Sequence, residues 1–288
     1  RYAALSHCWG IVPTLTTTLT NLEALSRKIT MAQIPRTFQD AIKISKRLGF
    51  EYLWIDSLCI IQDSEEDWLK ESVKMIEYYR NAYLTISVLD SPDSHHGILN
   101  SRDYIPSAKL SSEANLYLRE KLREQREVLK DALLSSRAWA LQERLLSTRI
   151  LHYSSKEMFW ECQTCSARES STEEISGGVD PDSVTVSEGD DFKRILSYIS
   201  QTTSAAQKMQ VMSTWYRIVT QYSRKDLTRD SDKLPAISGI ASAVKEITGY
   251  TYLAGIWGED PKGLLWFSDG SLTPNTAYRG PSWSWASY

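Results

Sequence analysis

A short segment near the middle of the chain carries two residues whose types and spacing suit chemistry. Residues 136–146 read SRAWALQERLL, a run of good helix formers that Ser135 or Ser136 can cap at its N-terminus. Trp139 and Glu143 lie four apart and therefore share one helix face. The carboxylate can stabilise a developing positive charge or bind sugar hydroxyls, and the indole can stack on a planar leaving group. The same spacing also fits a core tryptophan beside a solvated glutamate.

Polar residues follow three apolar segments, at 2–6, 51–56 and 83–89, which we interpret as buried strands. In an open doubly wound sheet, ligands bind outside the carboxyl ends of the strands. Parallel strands therefore bring these polar ends to one rim, and the helix bearing Glu143 must line that rim to complete a pocket. A structural role, with Asp56 and Asp90 accepting hydrogen bonds from backbone amides, stays equally open. The three polar ends are Ser6-His7-Cys8-Trp9-Gly10, Asp56-Ser57 and Asp90-Ser91.

The order of the predicted elements indicates an α/β fold. Helical periodicity alternates with buried strands up to about residue 165, which predicts a doubly wound, mostly parallel sheet over residues 1–165. The composition then changes to Ser, Glu, Gly and Asp, so we predict a linker or mobile loop over 166–191. Residues 192–288 combine helical stripes with clustered aromatics. We expect this C-terminal extension to pack on the first domain.

Composition and motifs exclude several classes of function. The chain has 288 residues, 42% of them apolar, and a net charge of −3, which gives no electrostatic case for nucleic acid or an anionic membrane. No run of 18 apolar residues and no secretory leader is visible, so we expect no membrane span and a cytoplasmic location. The GxGxxG, GxxxxGK[ST] and GxSxG motifs are absent from the sequence. The chain enters an apolar strand directly after Arg1, and we expect it to be part of a longer protein.

The cysteines are too few for a disulfide scaffold, which favours a reducing compartment. One CxxC pair could supply half of a zinc site, but no second half accompanies it, so we predict no metal. Cys8 or Cys59 with His7 or His152 could form a thiol nucleophile, although nothing in their spacing favours one. The four cysteines are Cys8, Cys59, Cys162 and Cys165.

Several long motifs resemble the fungal heterokaryon incompatibility (HET) domain family, and they occur in that family's order over roughly residues 1–162. They include YAALSHCWG, IPRTFQDAI, YLWIDSLCIIQD and RAWALQERLLS, which begin at Tyr2, Ile34, Tyr52 and Arg137. The tail resembles the region that follows the domain in many such proteins. The resemblance implies a role in fungal non-self recognition and programmed cell death. It also implies a distant similarity to TIR domains, which are flavodoxin-like.

Enzymatic TIR domains hydrolyse NAD and use a glutamate in a Trp-Cys-x-x-Glu pattern. Trp139 and Glu143 have the same interval here, with Ala140 in the place of the cysteine. The resemblance therefore implies an NAD glycohydrolase that needs no cofactor, because NAD is its substrate. Glu143 would stabilise the oxocarbenium character of the ribose or act as a transient nucleophile.

The other rim residues receive supporting roles under this hypothesis. Trp139 or Trp9 would stack on nicotinamide, and Arg137 or Arg36 would act as charge partners. The residues assigned to substrate binding are Ser6, His7, Trp9, Gly10, Arg36, Asp56, Ser57, Asp90, Ser91, Arg137 and Trp139.

Two alternatives remain beside NAD hydrolysis. One is a non-catalytic signalling module that acts through protein contacts, as many TIR domains do. The other is an enzyme acting on another nucleotide, for example by cyclising or transferring ADP-ribose. We expect the active form to be a homo-oligomer, with an upstream sensor protein as a further partner.

Overall fold

The computed structural model describes residues 1–102, 107–110, 117–171, 175–176, 191–198, 204–268, 270 and 278–288. These residues form a seven-stranded sheet with helices on both faces. Its strands are β1 (Tyr2–Ser6), β2 (Tyr52–Trp54), β3 (Leu84–Val88), β6 (Arg149–Tyr153), β7 (Met158–Cys162), β8 (Cys165–Arg168) and β9 (Ile175–Ser176). Two small hairpins pair β4 (Ser107–Lys109) with β5 (Tyr117–Arg119), and β10 (Tyr252–Leu253) with β11 (Ile256–Trp257).

The helices begin and end at ordinary local signals. Ser64 caps one long helix by accepting a hydrogen bond from the Asp67 amide. Another begins at Pro235 and ends before Gly249, whose φ of 71° is left-handed. The helices are α1 (Leu22–Arg27), α2 (Arg36–Arg47), α3 (Asp56–Cys59), α4 (Glu65–Asn81), α5 (Gln125–Asp131), α6 (Leu133–Ser136), α7 (Ala138–Leu146), α8 (Asp191–Tyr198), α9 (Ala205–Tyr222) and α10 (Pro235–Thr248).

The strand order of the sheet is β2-β1-β3-β6-β7-β8-β9. The first four strands are parallel to one another, and the helices that connect them provide the crossovers that parallel pairing requires. From β6 to β9 the neighbours run antiparallel. The predicted α/β fold is therefore confirmed, with its parallel strands in one half of the sheet. The chain reverses its direction of winding between β1 and β3, where doubly wound folds bind ligands.

Strand β1 shows how the two faces are built. Side chains alternate along a strand, so Ala3 and Leu5 pack on one face against Phe38 of α2. Ala4 points to the other face, where it shares a core with Tyr79 of α4. Because both faces are covered by helices, β1 and β3 are apolar along most of their length, as the sequence indicated.

The C-terminal extension is helical and carries aromatic clusters, as predicted. Helices α9 and α10 share one apolar core with α4 and α7. Trp215 of α9 is fully buried and meets Trp257 edge-on at 5.4 Å between ring centroids, and Tyr252 at 5.9 Å. These aromatic clusters therefore build the core that supports α7.

Of the predicted linker over 166–191, the structure describes only residues 166–171, 175–176 and 191, so the rest of that prediction lies outside the described residues. Strands β8 and β9 lie in the described part. Within the described part of the chain, no helix has both the length and the apolar character needed to cross a membrane.

Candidate functional site

Glu143 meets the carboxyl end of β1. It lies on the buried face of α7, and its carboxylate accepts a 2.5 Å hydrogen bond from the Ser6 hydroxyl. Only 6% of Glu143 and 4% of Ser6 is exposed. Tyr79 of α4 reaches the same place, because its hydroxyl donates to the Leu5 carbonyl oxygen at 3.2 Å and also hydrogen-bonds Glu143. A strand end and two helices thus enclose this acid.

Asp56 stands at the neighbouring strand end, as the first residue of α3 directly beyond β2. Its carboxylate accepts hydrogen bonds from the Ser57 amide at 2.7 Å and from the Trp9 indole at 2.9 Å. Burial raises the pKa of Asp56, while Arg137 acts in the opposite direction. Ser57 is fully buried, and its hydroxyl has no hydrogen-bond partner among the described residues.

Arg137 provides positive charge between these groups. It precedes α7, and its guanidinium donates to the carbonyl oxygen of His7 at 3.1 Å. The backbone around it is held by Asp226 of the C-terminal extension, whose carbonyl accepts from Ala138 and whose amide donates to Ser136. The extension therefore positions Arg137 as well as covering the core.

The electrostatics make Glu143 an unusual acid. Burial raises its pKa to about 7, and repulsion from Asp56 acts in the same direction. Hydrogen bonding from Ser6 and Tyr79 and the charge of Arg137 oppose this rise without cancelling it. A carboxyl group with a pKa near neutrality can exchange its proton at physiological pH, which is the property of a catalytic acid or base. We call Ser6, Asp56, Tyr79, Arg137 and Glu143 the Glu143 cluster.

His7 lies on the other face of the sheet. The strand pleat separates it from Ser6, and its ring packs edge-on against Phe38 at 5.1 Å and contacts the Ser94 hydroxyl at 3.2 Å. Burial, together with the charge of Arg137, lowers the pKa of His7 to about 3, so the ring is neutral at physiological pH. Only its backbone carbonyl reaches the Glu143 cluster.

Gly10 allows two strand-end loops to meet. Its φ is +79°, and a Cβ at this position would lie 2.2 Å from the Cβ of Asp93, in the loop after β3. A side chain cannot be accommodated there without moving one of the loops. The predicted convergence of the strand ends at one rim is therefore visible in this contact.

Four other predicted site residues make their contacts outside the Glu143 cluster. Asp90 accepts a hydrogen bond from the Ser155 amide at 2.7 Å, and Ser91 donates to the Asp93 carbonyl. Arg36 is exposed and packs against Gly97. Trp139 donates its indole N–H to Asp232 of the extension at 3.1 Å and packs on the C-terminal core. The structure thus brings together Ser6, Trp9, Asp56, Ser57, Arg137 and Glu143.

A second buried acid, Glu161 on β7, was not singled out in the sequence. It accepts hydrogen bonds from Arg144 at 2.9 Å and from His152 at 3.1 Å, and pairs with Lys193 at 2.9 Å. Burial alone raises the pKa of Glu161, but Arg144, Lys193 and His152 outweigh it and hold the pKa well below its ordinary value. We call these four residues the Glu161 cluster. Residues alternate between more buried and less buried positions along β6 and β7, and this period of two was the sequence pattern that could have placed His152 and Glu161 in the interior.

A polar row across the sheet connects the two clusters. Ser6 of β1 stands opposite Ser87 of β3, which stands opposite His152 of β6. His152 contacts the Ser87 hydroxyl through Nδ1 at 2.9 Å and Glu161 through Nε2. A cavity of about 20 Å³ over this row is lined by Ser6, Arg144 and other residues, and it is large enough for one water molecule.

The described residues offer no support for a metal site or for a thiol nucleophile at Cys8 or Cys59. Within the described ranges, no cluster of three or more His, Cys, Asp or Glu side chains is arranged to hold a metal ion. Burial raises the pKa of Cys8 and of Cys59, which disfavours the thiolate that a nucleophile needs.

Comparison with known proteins identifies one family. The model of the heterokaryon incompatibility protein (HET) family matches residues 2–143, a range that begins with β1 and ends on Glu143. No curated protein and no solved structure matches the chain.

Proposed function

Because residues 2–143 are a heterokaryon incompatibility domain, which implies a role in heterokaryon incompatibility and cell death, we propose that the protein is a fungal non-self recognition effector that hydrolyses NAD. The products are nicotinamide and ADP-ribose, and NAD is consumed as a substrate. One observation carries this proposal: a buried glutamate with a pKa of about 7 lies beside a second acid at the switch point of a doubly wound sheet.

The proposed reaction needs little proton transfer at the leaving group. The bond between ribose C1′ and the nicotinamide nitrogen breaks, and its electron pair neutralises the positively charged ring. The ribose becomes an oxocarbenium-like cation, which the Glu143 carboxylate stabilises or captures transiently. Water then adds to C1′ and loses a proton to Glu143 or solvent. Only ionised Glu143 performs these steps, so activity rises as pH increases through about 7.

The surrounding residues suggest how NAD is held. Trp9 is preferred over Trp139 for stacking on nicotinamide, because its indole is bonded to Asp56 while that of Trp139 is bonded to the extension. Arg137 is preferred over Arg36 as the partner of the pyrophosphate, because it lies beside Glu143 and Asp56. The backbone of the loop after β1, up to Gly10, lines the same rim.

Access to Glu143 requires a local rearrangement. Only 6% of the residue is exposed, and its carboxylate already accepts from Ser6. We propose that self-association, initiated by an upstream sensor protein, displaces this hydrogen bond and admits substrate. The resting chain then has low activity, which suits an effector of cell death.

The test measures nicotinamide release from NAD by the purified chain at high protein concentration. The parent is compared with Glu143→Gln, which keeps the size of the side chain and removes its charge. Glu246→Gln, at an exposed surface ion pair, is the matched control. We expect release by the parent and the control and loss in Glu143→Gln, with thermal unfolding confirming that all three are folded. Equal release by all three would reject Glu143 as the catalytic acid.

The burial of Glu143 also favours a second function, a non-catalytic signalling module. Its hydrogen bonds join β1, α4 and α7, as a purely structural acid would do. In that case, expression of Glu143→Gln in fungal cells remains toxic although no nicotinamide is released. Product analysis adds a further distinction, because hydrolysis gives linear ADP-ribose and a cyclising or transferring enzyme does not.

A further inference from the structure

The hairpin between β7 and β8 brings two cysteines face to face. Strand β7 ends at Cys162, β8 begins at Cys165, and two residues, Gln163 and Thr164, join them. The register that pairs Glu161 with Ser166 places the two cysteines at the next facing position. Their sulfur atoms lie 3.6 Å apart, and both residues are half-buried.

The surroundings of Cys162 favour its ionised form. Its sulfur lies 3.4 Å from the Thr164 hydroxyl and accepts a hydrogen bond from the Cys165 amide at 3.4 Å. Partial burial opposes ionisation of the thiol, but the hydrogen bonds from Thr164 and Cys165 outweigh it and lower the pKa to about 7. Burial raises the pKa of Cys8 and Cys59 instead. Cys162 is therefore more nucleophilic at neutral pH than these two cysteines.

We propose that Cys162 and Cys165 form a redox site that a hydroperoxide converts reversibly from dithiol to disulfide. The Cys162 thiolate attacks one oxygen of hydrogen peroxide, the O–O bond breaks, and hydroxide leaves, which gives a sulfenic acid. The Cys165 sulfur then attacks the Cys162 sulfur, and the sulfenic oxygen leaves as water. In total, two thiols and one peroxide give one disulfide and two waters.

The geometry suits both formation and reversal. A disulfide bond is about 2.05 Å long, so the sulfurs need to approach by only about 1.5 Å. The bond closes a ring of only four residues, so it removes little entropy from the unfolded chain and adds little stability. Because both cysteines are only partly buried, a thiol can reach the disulfide and reduce it. This site is independent of NAD hydrolysis.

The experiment treats the purified chain with hydrogen peroxide and maps the products by peptide mass spectrometry. We expect a peptide joined at Cys162 and Cys165 that has lost two hydrogens and is restored by dithiothreitol. In Cys165→Ser, the sulfenic acid at Cys162 persists and is trapped by dimedone. Cys59→Ser is the matched control and behaves as the parent does.

A second measurement does not depend on the variants folding. The rate at which iodoacetamide alkylates Cys162 in the parent is followed against pH, with a midpoint expected near 7. A midpoint near 9 overturns the proposal, and so does peroxide treatment that leaves the pair reduced, joins two chains, or stops at sulfinic acid.

Discussion

The two buried glutamates of this molecule have opposite electrostatic behaviour. Glu143 is 6% exposed and Glu161 is 4% exposed, so desolvation acts on both. The pKa of Glu143 is nevertheless about 7, while that of Glu161 lies well below its ordinary value. Burial raises the pKa of both groups; it prevails at Glu143, whereas the charges of Arg144 and Lys193 and the hydrogen bond from His152 outweigh it at Glu161.

Helix α7 separates the two environments. Glu143 and Arg144 are consecutive, and consecutive helical side chains point about 100° apart. The acid turns to the end of β1, where Asp56 repels it, and the base turns to β7, where it binds Glu161. One helix thus supplies Glu143, an acid with a raised pKa, to one cluster, and Arg144, which forms an ion pair with Glu161, to the other.

The two environments indicate a structural role for Glu161 and support the proposed functional role of Glu143. Glu161 lies among Arg144 and Lys193, and a buried charge with such partners serves the fold. Glu143 lies beside a second acid, an arrangement that costs stability and is typical of functional sites. The pH dependence has opposite sign: stability from Glu161 is lost as pH falls below 4.5, whereas that from Glu143 is lost as pH rises from 4.5 through 7.

Removing the Glu161 carboxylate has the largest expected effect. Glu161→Ala removes the acid that the buried Lys193 and the partly buried Arg144 face, which costs about 3–5 kcal/mol of unfolding free energy. Urea unfolding at neutral pH measures the loss. Glu246→Ala, at an exposed ion pair with Arg80, is the control and changes stability by less than about 1 kcal/mol. Similar losses in both variants would contradict a special role for the Glu161 cluster.

Glu143→Gln is expected to change stability in the opposite direction. Because the folded protein must ionise Glu143 against a pKa of about 7, the neutral amide is more stable by roughly 3 kcal/mol at pH 8. The advantage shrinks as pH falls from 7 to 4.5 and disappears below 4.5, where Glu143 is protonated in both the folded and the unfolded chain. Thermal unfolding across this range measures it. A variant less stable than the parent at pH 8 would show that the charged form is structurally required.

Asp56→Asn tests the repulsion directly. Without the negative charge of Asp56, the pKa of Glu143 falls from about 7 toward its ordinary value of 4.5. Carboxyl-selective NMR titration follows the ionisation, and the pH midpoint of nicotinamide release shifts in the same direction. Asp90→Asn is the control, since Asp90 stands at another strand end and bonds the Ser155 amide. Equal shifts in both variants would remove Asp56 as the cause.

Trp139→Phe has the smallest expected effect. It removes the hydrogen bond to Asp232 and costs about 1 kcal/mol of stability while leaving activity intact. Trp9→Phe is the companion variant and reduces nicotinamide release, because Trp9 contacts Asp56 beside the site. Nicotinamide release and thermal unfolding are measured for both variants to decide which tryptophan stacks on nicotinamide. Loss of activity in Trp139→Phe would identify Trp139 as the stacking residue.

The strands and much of the site were predictable from local pattern. The apolar segments at 2–6 and 83–89 correspond to β1 and β3, and the loops that follow them meet where Gly10 contacts Asp93. The rule that parallel strands end at the same edge placed Ser6 and Asp56 in one neighbourhood. The helix bearing Glu143 was assumed to line that edge, and Arg137 was assigned only through the family resemblance. Their catalytic role stays a prediction.

The amino-acid sequence by itself determined the alternation of helices and strands and the position of Glu143 on a helix, because both depend on neighbours a few residues away. Only the tertiary structure decided which partners each side chain meets. The pleat of the strand places His7 against Phe38 of α2. The indole of Trp139 donates a hydrogen bond to Asp232 of the extension, and Lys193 forms an ion pair with Glu161. These contacts join residues far apart in the chain, and they set the pKa of each acid through burial and nearby charge.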